Sequence, residues 1–109
     1  MLPKKERLKA GEFSTYSRAN VKKKSPHLFL EYTHNKTFKA SVVVSKKVSK
    51  KAVNRNRIRR VLYSILAQNQ PMLPTGVYIV RVKANASDTS VLYLKKELRR
   101  LLGQIEMSR

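Results

Sequence analysis

Between Lys46 and Arg60 the chain carries eight cations and no acid: Lys46, Lys47, Lys50, Lys51, Arg55, Arg57, Arg59 and Arg60. The four guanidinium forks match phosphate bidentately, and the four ammonium groups add point charges. The chemistry on offer is binding of a phosphate backbone. The bland alternative is a solvated basic face with no partner. The placement of the acids argues against it. Glu6, Glu12, Glu31, Asp88, Glu97 and Glu106 are the whole set, so residues 32–87 contain no carboxylate and local ion pairs cannot account for the cations. Asn56 lies among the arginines. It either hydrogen-bonds a base or sugar edge or supports the start of a helix.

A second group of residues offers base stacking. Phe13, Tyr16 and Tyr32 are candidates for an aromatic platform under a single strand, and core packing is the alternative for each. Tyr63 and Tyr93 read as packing or surface residues. Catalysis by the protein itself finds no support: DxD, HExxH, P-loop and GxSxG patterns are all absent. His27 and His34 stand seven apart at opposite ends of one predicted strand, with only Glu31 between them, too far apart for an acid–base pair. No metal site is expected in the protein.

Composition sets the frame. The chain has 109 residues, enough for one domain, with a formal net charge of +19 and 41% hydrophobic residues. That charge destabilises the free protein by self-repulsion, which an anionic partner relieves. The absence of cysteine excludes a disulfide framework and fits a cytoplasmic protein. No apolar run approaches the ~20 residues of a membrane span, no secretory signal stands at the N-terminus, and membrane binding is not expected.

The elements that must position these residues follow from periodicity. Residues 1–11 read as a basic, flexible N-terminus, and 12–19 as a short helix carrying Phe13 and Tyr16 on one face. Lys22-Lys23-Lys24-Ser25-Pro26 reads as a charged loop. His27–Thr33 and Phe38–Ser45 read as two strands, antiparallel to each other across a turn at His34–Lys36. Asn54 is a plausible N-cap for a helix whose stripe is Ile58, Val61, Leu62, Ile65 and Leu66. Asn56, Arg57, Arg59, Arg60 and Tyr63 fall off that stripe and face outward, whereas Arg55 lies nearer it and can bend back toward the sheet. Val77–Val82 is apolar on both faces and reads as a central strand. Val91, Leu94, Leu98, Leu101, Leu102 and Ile105 make the last amphipathic helix, with N-caps available in Ser87–Ser90. The class is α+β, a two-layer α-β sandwich in the order α-β-β-α-β-α, with a small mixed sheet and a parallel strand–helix–strand unit.

Ser45-Lys46-Lys47 followed by Arg55-Asn56-Arg57-Ile58-Arg59-Arg60 resembles the signature of the bacterial ribonuclease P protein family. The resemblance runs through nearly the whole chain: Leu2, Pro3, Lys4, Arg7 and Leu8 at the start, Pro74, Gly76, Tyr78, Ile79 and Val80 before and in the third strand, and Lys95, Leu98 and Leu101 in the last helix. It implies an α-β sandwich with a left-handed βαβ crossover, against the general rule. It also implies a role: partnership with the ribonuclease P catalytic RNA, held through Lys46–Arg60, and binding of the 5′ leader of precursor tRNA through Phe13, Tyr16 and Tyr32. Mg²⁺ would act through the RNA, and no protein partner is required. The family spaces its first-helix aromatics four apart, whereas Ser17 stands at that position here and Tyr16 is three on from Phe13. The alternative function is a ribosomal or ribosome-associated RNA-binding protein; a protein nuclease is a third class.

Overall fold

The computed structural model describes residues 21–107, leaving out the side chains of Asp88, Glu106 and Met107. The expected basic N-terminus and first helix, with Phe13 and Tyr16, lie outside the described residues. The elements run β1 (Val21–Lys24), β2 (Leu28–His34), β3 (Lys39–Val44), α1 (Ala52–Asn69), β4 (Gly76–Val82) and α2 (Val91–Met107). Two 3-10 turns, Gln70–Met72 and Ala84–Asp88, flank β4.

The sheet has the order β1-β2-β4-β3. β2 pairs antiparallel with β4, and β3 pairs parallel with β4 from Lys39↔Val77 to Val44↔Val82. The two strands read as antiparallel do run in opposite senses, but they are not neighbours, because β4 lies between them. β4 is buried at every position except Arg81, so the centre of the sheet is where it removes most apolar surface from water. One correction concerns Lys22–Lys24, which form part of an edge strand and not a loop. Their backbone pairs with β2 from Val21↔Tyr32 to Lys24↔Phe29, while Lys22 and Lys24 point to solvent. Lysine on an edge strand discourages pairing with another chain.

Alternation along the strands divides the sheet. Leu28, Leu30, Ala40, Val42, Val44, Tyr78, Val80 and Val82 face the helices and join Ile58, Leu62, Ile65, Leu66 and the leucines of α2 in one core. Phe29, Glu31, Val43, Val77 and Ile79 lie at the alternate positions, and Val77 and Ile79 are themselves buried. α2 buries Leu94, Leu98, Leu101, Leu102 and Ile105 as its spacing predicts, each contributing about 1.5–3 kcal/mol. Ser90 caps it, its hydroxyl accepting the Tyr93 N–H at 3.2 Å.

Tyr63 departs from the expected outward position. It is 8% exposed, and its hydroxyl accepts the Val42 N–H at 3.1 Å. β3 is a sheet edge, so this bond satisfies an edge amide that β4 does not reach.

Candidate nucleic-acid interface

The basic segment leaves the C-terminal end of β3, turns, and enters α1. Local bonds hold the turn. The Val48 N–H donates to the Ser45 carbonyl at 3.1 Å, and the Lys47 N–H donates to the Ser45 hydroxyl at 3.3 Å. Val48 is buried and anchors the loop to the core. The Ser49 hydroxyl accepts from the Lys51 N–H and from the Asn54 amide, both at 3.3 Å. Asn54 is therefore not the helix cap. α1 begins two residues earlier at Ala52, with Lys51 in the cap position and no side-chain cap.

An uncapped helix start carries open N–H groups and the positive end of the helix dipole. No acid stands in the first turn. Cations crowded at this end oppose the dipole, and an anion bound there relieves both.

The predicted side chains come together on this surface but play unequal parts. Lys46, Lys47, Lys50, Lys51, Asn56, Arg57 and Arg60 are exposed. Arg55 is half-buried and does bend back, onto the loop and not the sheet: its guanidinium donates to the Ser49 and Lys50 carbonyls, each at 2.9 Å. It holds the loop that carries Lys46–Lys51. Arg59 is half-buried and donates to the Asn56 side-chain oxygen, so Asn56 orients an arginine. Among the described residues, no carboxylate pairs with any of the eight cations.

Beside Arg57 lies a cavity of about 340 Å³, between the start of α1 and the Ala84–Asp88 turn. The Ser49, Ser87 and Thr89 residues and Asn54 line it with polar groups next to the guanidinium. Ser87 and Thr89 carry no basic or aromatic signal, so only the fold reveals that they border the arginines.

Tyr32 lies on the helix side of the sheet and is 8% exposed. Its hydroxyl donates to the Thr75 carbonyl at 3.0 Å, and its ring packs 4.9 Å from that of Tyr78. A ring so enclosed offers a base little open face. The expected platform at Tyr32 is therefore corrected to a core position; its register puts it one step out of phase with Glu31 and Thr33 on the other face.

The histidines sit apart, as their spacing implies, but His27 has a partner that the strand reading missed. Glu97 of α2 is fully buried. Its carboxylate accepts from the Ser25 hydroxyl at 2.5 Å and the His27 N–H at 3.0 Å, and its other oxygen lies 2.6 Å from His27 Nδ1. Burial pushes the Glu97 carboxyl up, but the Ser25 hydroxyl, the His27 N–H and the His27 ring together outweigh it and hold the carboxyl below its ordinary value. The group ties the β1–β2 turn to α2 and carries no geometry for hydrolysis. The only other described carboxylate side chain, Glu31, accepts from Arg81 Nε at 2.8 Å across the sheet.

The comparisons agree with this fold. The family model Ribonuclease P matches residues 2–106. The chain is 37% identical over 87 residues to the ribonuclease P protein component of Prochlorococcus marinus (strain MIT 9312), covering 66% of this chain and 68% of that protein. It is 34% identical over 112 residues to the component of Pseudanabaena sp. (strain PCC 6903), covering 98% and 97%. Among solved structures, the RNase P protein of Staphylococcus aureus superposes with a TM-score of 0.81 at 22% identity, covering 90% of this chain and 93% of that one. The protein from Thermotoga maritima gives 0.77 at 21%, covering 92% and 97%. A match of the family model along almost the whole sequence, together with the same fold, means that this chain belongs to the ribonuclease P protein family.

Proposed function

We propose that the chain is the protein subunit of ribonuclease P, an endoribonuclease particle in which the catalytic RNA cleaves the 5′ leader from precursor tRNA. The exposed Lys46, Lys47, Lys50, Lys51, Arg57 and Arg60 neutralise phosphates of that RNA, and Arg55, Asn56 and Arg59 shape the surface that does so. One observation carries the reading: eight cations gathered at a helix start, with no carboxylate among the described residues to pair them. Each neutralised phosphate releases counterions, so binding weakens steeply with salt. Chemistry resides in the RNA, with Mg²⁺ held by RNA and substrate. Phe13 and Tyr16 are the aromatic candidates for the single-stranded leader. The particle works in the cytoplasm, without a membrane and without a further protein partner. No helix among the described residues is long and apolar enough to cross a bilayer.

The test is precursor-tRNA cleavage at low Mg²⁺ by a bacterial catalytic RNA, with and without the protein, beside a protein-only lane. Stimulation that requires the RNA is expected. No stimulation, together with co-sedimentation on ribosomal subunits, would favour the ribosomal alternative. Cleavage in the protein-only lane would overturn both.

A further inference from the structure

α2 turns one face to the core and the other to solvent. Leu94, Leu98, Leu101, Leu102 and Ile105 are buried, whereas Leu92, Tyr93, Lys96, Arg99 and Arg100 are exposed. Lys96, Arg99, Arg100 and Gly103 fall at i, i+3, i+4 and i+7, so one outward stripe holds three cations and ends on a glycine. Glu97 points the other way, into the core, and neither ion pair among the described residues involves Lys96, Arg99 or Arg100.

We infer that this stripe is a second RNA contact, seating the phosphate backbone of a double-helical segment of the same RNA that Lys46–Arg60 holds. It rests on the ribonuclease P reading above. Lys96 and Arg100 stand one turn apart, as do the half-buried Lys95 and Arg99, and like charges so placed destabilise a helix. An anion lying along the stripe removes that cost. Gly103 brings a second cost, because glycine inside a helix is less stable than alanine. The fold does not require it: a Cβ there would meet no atom within 4 Å. A bare position beside cations lets a partner's backbone come close to the helix. Continuity selects the RNA. Val91, at the start of α2, lines the same cavity as Arg57, and the two helices share one core. Shape selects the duplex. The stripe is the convex outside of a helix, and the Tyr93 ring at its end stands edge-on to His27, with centroids 5.6 Å apart. Such a face encloses no splayed base, whereas a duplex keeps its bases stacked and presents its phosphates.

The test uses the full chain and the catalytic RNA. Lys96→Gln, Arg99→Gln and Arg100→Gln combined change only exposed residues. The triple variant is expected to bind the RNA about tenfold more weakly and to lower the log–log salt slope by about two, with its denaturation midpoint unchanged. Gly103→Leu fills open space and is expected to lose affinity although it removes no charge. Wild-type affinity and slope in the triple variant would overturn the inference. So would a loss of self-association, or of binding to phosphatidylglycerol vesicles, in place of RNA affinity, since the stripe would then serve a second copy or a membrane. A positional readout is open because the chain has no cysteine. Leu92→Cys at the start of α2 and Val53→Cys at the start of α1, both at exposed side chains, each give one attachment point for an iron chelate that cleaves nearby RNA. Cleavage within a paired segment from Leu92→Cys supports the stripe. Cleavage there confined to unpaired segments, or cleavage from Val53→Cys alone, overturns it and leaves the ribonuclease P reading standing. Cleavage from neither overturns both.

Discussion

The β1–β2 turn and the β3–α1 connection handle charge in opposite ways. At the first, a fully buried carboxylate from α2 gathers the Ser25 hydroxyl, the His27 N–H and the His27 ring, and the Lys83 ammonium reaches the Ser25 carbonyl at 2.8 Å. Polar groups there complete one another inside the protein. At the second, the Arg57 and Arg60 side chains are exposed with no carboxylate beside them among the described residues. The two described carboxylate side chains, Glu31 and Glu97, both lie where the fold closes, and neither stands beside the Lys46–Arg60 surface. Cations the fold leaves uncompensated thus mark the partner's place better than net charge does, since +19 says nothing of where.

Breaking the closed region should give the largest effect. Glu97→Ala removes the shared acceptor of the Ser25 hydroxyl, the His27 N–H and the His27 ring and leaves a gap where the buried side chain stood, and it should lower unfolding free energy by about 3 kcal/mol in chemical denaturation. Glu97→Gln keeps an acceptor and should cost about half as much. The carboxyl of Glu97 is held below its unfolded value of 4.5, so its contribution is fully present above that pH and is lost as pH falls through the lower folded value. Wild type should therefore lose stability more steeply than Glu97→Gln below about pH 4.5. Parallel acid curves would mean that the ionised form is not what the turn requires.

Next in size is a steric test within the fold. A Cβ on Gly76 would stand 2.5 Å from the Thr33 carbonyl and 2.5 Å from the Tyr32 ring. Gly76→Ala should cost about 2 kcal/mol of stability without changing the salt dependence of RNA binding. Arg57→Ala and Arg60→Ala should do the reverse. Each should weaken binding to the catalytic RNA by about 1–1.5 kcal/mol and reduce the log–log salt slope by about one, while stability stays within about 0.5 kcal/mol of wild type. Unchanged slopes would mean that these side chains do not touch phosphate, and the contrast between the two regions would collapse.

Much of this was legible because it was periodic. Both helical stripes, the central β4 and the gathering of the basic residues follow from spacing alone. What failed depended on partners distant in sequence. The opposite senses of β2 and β3 follow from the short turn between them, but the strand that separates them lies beyond a whole helix. Lys22–Lys24 carries no alternation of apolar residues, and only its pairing with β2 makes it a strand. Tyr63 is off the stripe of α1 and buried all the same, because it reaches over the open edge of β3. Glu97 did leave a signal: it falls three residues after Leu94 and four before Leu101, on the apolar stripe of α2, where an acid needs donors. Its donors come from a turn some 70 residues earlier, beyond the reach of any local pattern.

Tyr32 sharpens the comparison at its smallest scale, because its aromatic character suited either region. Its hydroxyl bond to Thr75 and its ring contact with Tyr78 put it with the groups that close the fold. Tyr32→Phe keeps the ring and removes one hydrogen bond, leaving the Thr75 carbonyl near a solvent-exposed residue that water can serve. The expected cost is about 0.5–1 kcal/mol of stability, with precursor-tRNA affinity unchanged when measured on the assembled particle at fixed salt. A core ring and a base-stacking ring differ in what Tyr32→Leu then does. As a core residue it should lose further stability while precursor and mature tRNA are bound in the wild-type ratio. If that ratio falls while stability holds, the ring meets the leader after all, and the sheet face that carries it must open when RNA binds.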